Sequence, residues 1–189
     1  KLKLLIIGDS AGAGVGVQKQ QDALAGQLST LLSAKYKVDW CLMANSGDTS
    51  TDLISSLANL TAQKFDYVLV SIGVNDVTHL TRANCWKKNI KTLIDIFENK
   101  FDTPKVLFTS IPPMQKFTAI PVPLRWCLGQ RAQTLNRILK TELAAHDQYS
   151  VLHFDLPFKP EFIAKDGIHP SKIAYTAWAM KVAQAVEKC

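Results

Sequence analysis

The 189 residues carry 22 Lys and Arg against 16 Asp and Glu, a formal net charge of +6, and 47% of them are hydrophobic. That balance excludes a disordered or fibrous chain, and the length suits one domain that buries roughly 70% of its unfolded surface. No apolar run reaches the ~18 residues that span a bilayer, and the basic residues form no linear cluster of the kind that marks nucleic-acid binding. The partner expected is therefore a small molecule, with anions mildly favoured and nucleic acid excluded.

Taken in chain order, short aliphatic or β-branched runs alternate with longer segments of helical spacing. Residues 2–7 read as a strand, 22–34 as a helix, 38–43 as a strand and 51–60 as a helix. A strand at 67–72, a helix at 83–99 and a strand at 105–110 follow. The series closes with a helix at 130–146, a strand at 150–154 and a helix at 171–187. In the fourth helix Ala132, Leu135, Ile138, Leu139 and Leu143 recur at intervals of three and four, an amphipathic stripe. The strand runs are nearly continuous in apolar residues, as expected where both faces are covered. Five strands alternating with five helices imply an α/β fold with a parallel sheet and right-handed crossovers. Residues 1–189 are expected to form a single domain, since no repeat, linker or low-complexity tract divides them.

Four cysteines stand at 41, 85, 127 and 189 without a C-x-x-C pair or zinc-ligand spacing, so no metal site is expected. Cys41 reads as a small buried hydrophobe. The disulfide status of Cys41, Cys85, Cys127 and Cys189 is left open. The chain begins at Lys1 without a Met, and the expectation is that an upstream segment has been removed. A soluble domain is expected, as a monomer or small homo-oligomer, with its compartment, cytoplasmic or periplasmic, left unknown.

In open parallel sheets ligands bind beyond the carboxyl ends of the strands. The loops at those ends contain Gly8-Asp9-Ser10, Asn45-Ser46-Gly47, Gly73-Val74-Asn75-Asp76, a Pro-rich stretch from Ile111, and Asp166-Gly167-Ile168-His169-Pro170. A dinucleotide-binding turn fails because Val17 occupies the last glycine position of the run Gly12-Ala13-Gly14-Val15-Gly16 and no acidic residue closes the second strand. A P-loop fails for want of Gly-Lys-Ser/Thr. Ser10 is a candidate nucleophile, or simply a helix cap. Its base would be His169, which lies in a loop before the last helix. His146 is explained by a helix end and His153 by a strand, and His79 is the one competitor. Asp166 can orient the His169 ring and fix its tautomer. The Ser10 and Gly47 N–H groups and the Asn75 amide are candidate donors to a developing oxyanion, although each is also an ordinary turn residue. Asp9 and Asp76 read as structural acceptors for backbone N–H groups.

These blocks resemble the SGNH/GDSL hydrolases. Gly8-Asp9-Ser10 corresponds to the first block, Gly47 to the second, Gly73-x-Asn75-Asp76 to the third and Asp166-x-x-His169-Pro170 to the last, in order along the whole chain. The resemblance implies a flavodoxin-like three-layer α/β/α sandwich with a five-stranded parallel sheet of order 2-1-3-4-5. It also implies cofactor-free hydrolysis of esters or thioesters. By the same resemblance Ser10, His169 and Asp166 form a catalytic triad acting through an acyl-enzyme, and Ser10, Gly47 and Asn75 form the oxyanion hole. Ala11 and Gly12 follow Ser10 where a bulkier residue is usual, which leaves the pocket beside the nucleophile open.

Residues 111–126 are long for a connection, rigid with proline and unusually apolar. They read either as packing on the sheet or as the wall of an acyl pocket. Met114, Phe117, Trp126 and Phe158 are the expected substrate-binding residues, with Leu156, Pro157 and Phe162 on the facing wall. The expected substrate is a short-to-medium acyl ester. A carbohydrate O-acetyl ester, a thioester or a lysophospholipid would use the same machinery. A non-catalytic binding module on this fold is the alternative from another class.

Overall fold

The computed structural model describes residues 1–189 except 103–104, 154, 156 and 188–189. Five strands, β1 (Leu2–Gly8), β2 (Val38–Ala44), β3 (Tyr67–Ser71), β4 (Lys105–Thr109) and β5 (Tyr149–Leu152), form one sheet. All neighbours pair in parallel, and the order is β2-β1-β3-β4-β5, as expected. The helices are α1 (Ser10–Ala13), α2 (Leu24–Leu32), α3 (Ser50–Ala58), α4 (Val74–Thr78), α5 (Ala83–Phe101), α6 (Leu124–Leu143) and α7 (Lys172–Glu187). Residues 153 and 155 lie beyond the last strand, and Phe154, expected to end it, lies outside the described residues.

Alternation along the strands divides the interior in two. Leu5 and Ile7 of β1, with Val68, Val70, Val106 and Phe108, pack under α3, α5 and α6. Leu4 and Ile6, with Leu69 and Leu107, pack under α2 and α7. Helices therefore cover both faces, and the central strands are apolar on both sides because both sides are buried. In α5 the buried residues Trp86, Ile90, Leu93, Ile94, Phe97 and Phe101 recur at helical spacing and form one face.

Two expectations give way here. Strand β2 occupies an outer position, and Asp39, Trp40 and Cys41 on it are exposed. Cys41 is thus not a buried residue, because an apolar run says nothing about which strand lands at the edge. The fourth long helix begins at Leu124 and not near Gln130. Its first turn carries Leu124 and Trp126 on solvent-exposed positions, which masks the helical period.

Candidate active site

Strand β1 delivers Ser10 to the carboxyl edge of the sheet. The β1–β3 ladder runs one residue past the strands, with Asp9 N donating to Ser71 O at 3.0 Å, and Asn45 N donates to Gly8 O at 3.2 Å on the other side. Asp9 caps the short helix α1, its carboxylate accepting from Ala11 N at 3.1 Å. Burial pushes the Asp9 carboxyl up from 3.8 to about 6, against bonds from Ala11 and Gly12 and the nearby His169, which pull it down.

His169 arrives from the opposite end of the chain. Its Nε2 lies 2.9 Å from Ser10 Oγ, and its Nδ1 lies 2.7 Å from Asp166 Oδ2. The other oxygen of Asp166 accepts the N–H groups of Ile168 and His169, both at 2.9 Å. Burial raises the Asp166 carboxyl, but these three bonds outweigh it and hold the group below its ordinary value of 3.8. A carboxylate so placed stays ionised and keeps the ring proton on Nδ1, leaving Nε2 free to accept from a hydroxyl.

Close approach of the two loops depends on Gly16, at φ +107, where a Cβ would run into Pro170 O and crowd His169. The Tyr175 hydroxyl of α7 braces the same loop, 2.7 Å from Val15 O. Neither residue was singled out from the sequence. The glycine run was the available signal for Gly16, whereas nothing local distinguished Tyr175 from other helix aromatics.

The other two donor candidates sit in the loop after β2 and at the start of α4. Gly47 follows β2 at φ +88 with nothing within 4 Å of where a Cβ would stand, so its backbone is open to a ligand. Asn75 Nδ2 donates to Asp48 O at 2.9 Å, which fixes the amide against the Gly47 loop and leaves its second N–H unused by that bond. Asp76, fully buried, accepts Ser50 N at 2.9 Å and Ser50 Oγ at 2.7 Å, anchoring the start of α3. The competitor His79 is exposed beyond α4, and His146 stacks on Tyr149 and meets Glu98 at 3.0 Å. His153 is exposed beyond β5. Nothing brings these three to Ser10.

An apolar pocket opens beside Ser10 and His169, walled by Ile72, Val74, Ile111, Pro112 and Phe117 and faced by Pro157, Phe158, Phe162, Ile168 and Trp178. Phe117 and Phe158, both expected here, meet edge to face at 5.4 Å. Met114 and Trp126 are not among the lining residues: Met114 is buried in the core beside α6, and Trp126 is 61% exposed at the start of that helix. Loop packing, which no local pattern records, decided between the two fates. Leu156 lies outside the described residues. Ser71, Thr109 and Ser110 add hydroxyls, and apart from these, Asp9, Ser10 and His169 the lining is apolar. Among the described residues there is no group of three potential metal ligands and no helix long and apolar enough to cross a membrane, and Cys41, Cys85 and Cys127 are free thiols.

Comparison with known proteins agrees with this architecture. An arylesterase of Vibrio mimicus is 26% identical over 190 residues, covering 98% of this chain and 88% of its own. Among solved structures, the psychrotrophic esterase EstA of a Pseudoalteromonas species superposes with a TM-score of 0.77 at 18% identity, covering 100% of this chain and 98% of the other. The lipase/acylhydrolase of Enterococcus faecalis superposes with a TM-score of 0.74 at 19% identity, over 100% and 96% of the two chains. At such identities the superpositions speak for the fold. Residues 6–177 match the GDSL-like lipase/acylhydrolase family, so the chain belongs to that family and is an ester-hydrolysing enzyme.

Proposed function

We propose that the enzyme hydrolyses carboxylic esters of short-to-medium acyl chains, with Ser10 as nucleophile, His169 as general base and Asp166 as its orienting partner. The observation that supports this most directly is the relay from Ser10 Oγ through His169 to Asp166, at 2.9 and 2.7 Å. His169 Nε2 takes the hydroxyl proton as Oγ adds to the ester carbonyl. The Ser10 and Gly47 N–H groups and the Asn75 amide receive the oxyanion. Collapse breaks the bond to the leaving oxygen, His169 returns the proton to it, and the acyl group stays on Ser10 as an ester. Water deprotonated by His169 then repeats the sequence, releasing the carboxylic acid and restoring the hydroxyl.

The pocket lining favours an acyl chain over a sugar acetate, since carbohydrate recognition needs convergent polar groups and this wall offers few. Phe117 and Phe158 are the proposed acyl-contacting residues. The test is nitrophenyl esters from acetate to dodecanoate together with fluorophosphonate labelling, on wild type and Ser10→Ala. Labelling and turnover are expected in wild type, strongest at short-to-medium chains. Loss on the order of 10⁶ in kcat is expected in Ser10→Ala. A wild-type protein that neither labels nor turns over would leave the fold as a binding module.

A further inference from the structure

The carboxyl edge of the sheet, where the pocket opens, also carries the most exposed large apolar side chains of the described residues. Val122, Leu80, Trp126 and Leu124 are 66, 61, 61 and 51% exposed. Leu80 lies between α4 and α5, and the other three lie at the entry to α6. Arg131 of α6 donates to Thr81 O at 2.7 Å, so the two segments sit side by side. None of the four belongs to either core or to the pocket wall. Leu80 is moreover held at φ +56, a left-handed conformation unfavourable for a bulky L residue. Neither core packing nor backbone preference accounts for a leucine at this position.

Charge follows the same partition. Residues 79–88 and 111–131 contain Arg82, Lys87, Lys88, Lys116, Arg125 and Arg131 and no Asp or Glu, which leaves 16 basic against 16 acidic residues elsewhere. The net +6 of the whole chain therefore resides in these two stretches. Lys87 is met by Glu142 at 3.4 Å, while Arg82, Lys88 and Lys116 are exposed.

We propose that this face docks on an anionic lipid surface, with Leu80, Val122, Leu124 and Trp126 entering the headgroup layer and the cations meeting lipid phosphates. Isolated protruding apolar side chains flanked by cations suit a fluid, negatively charged interface. Residues 111–126 are two-sided, since Ile111, Pro112 and Phe117 line the pocket while Val122, Leu124 and Trp126 face outward. Docking would thus present the pocket to ester-bearing lipid. The purpose of docking rests on the proposed esterase function, but the docking itself does not, and it is read on Ser10→Ala protein that cannot consume the vesicles.

The experiment is sedimentation of the full chain carrying Ser10→Ala with phosphatidylcholine vesicles, with and without phosphatidylglycerol, at low and high salt. Partition onto the anionic vesicles, weakened by salt, is expected. It should fall about tenfold or more on adding Leu80→Asn with Leu124→Ser, and likewise on adding Arg82→Glu with Arg125→Glu. Asn tolerates the left-handed conformation, so the first pair keeps the fold, and in the active background it should leave nitrophenyl butyrate hydrolysis unchanged. Absence of partition, equal partition without phosphatidylglycerol, or variants that bind like the parent would overturn the proposal. It would equally fall if the chain self-associates without vesicles and Leu80→Asn with Leu124→Ser abolishes that association, because the face would then be a contact between copies.

Discussion

Burial makes Asp9 an uncomfortable anion: its carboxyl is pushed up to about 6, so the folded protein holds that proton more tightly than the unfolded chain does. Stability from this group is therefore present in full below pH 3.8 and is lost as pH rises through about 6. Asp9→Asn keeps an oxygen for Ala11 N and removes the charge. Its melting temperature relative to wild type should climb between pH 4 and pH 7 and then level off. A difference that stays constant with pH would show that burial does not set the Asp9 proton affinity. At Asp166 the expectation concerns rate. Asp166→Asn leaves the ring of His169 without its anionic partner and allows the wrong tautomer, so kcat should drop by up to about 10⁴-fold with little change in stability. Asn75→Ala should cost about 10²–10³ in kcat, as removal of one oxyanion donor does elsewhere. Comparing kcat with KM for both variants checks this, because a loss confined to KM would remove these groups from the transition state.

At the scale of elements, the site is a set of loop ends held by buried acceptors. The start of α3 hangs on Asp76, which receives Ser50 N and Ser50 Oγ without solvent, while Asn89 of α5 bonds Ser50 Oγ at 2.8 Å from the far side. Asp76→Ala would strand two buried donors and should destabilise by about 3 kcal/mol or more, measured as a shift in urea midpoint at constant m-value. A shift no larger than that of a surface substitution would mean that α3 is held by its Thr49–Asp52 capping box alone. Asp76 was legible as a structural acceptor from Gly73-Val74-Asn75-Asp76, yet its partner Ser50, 26 residues earlier, was not. Likewise the helical period of α6 was plain from Ala132 to Leu143. Its first turn was hidden, because Leu124 and Trp126 sit where a soluble helix usually places polar residues.

In the molecule as a whole, one sheet divides two cores, with Trp86 in the first and Trp178 in the second. Each central strand contributes alternate residues to both, so neither core can form alone. Unfolding in urea should therefore be a single transition, with coincident midpoints by tryptophan fluorescence and far-UV circular dichroism. Separated midpoints would show that the two layers melt independently. The sequence by itself determined the alternation of strands and helices and the parallel sheet, because periodicity is a local property, and its loop-end chemistry put forward Ser10, Asp166 and His169 as the triad proposed above. Tertiary structure alone decided that Cys41 lies at an exposed edge, that Gly16 and Tyr175 lock the Ser10 and His169 loops together, and that Phe117 turns inward while Trp126 turns out. Those outcomes depend on contacts between residues far apart in the chain, and no local pattern encodes them.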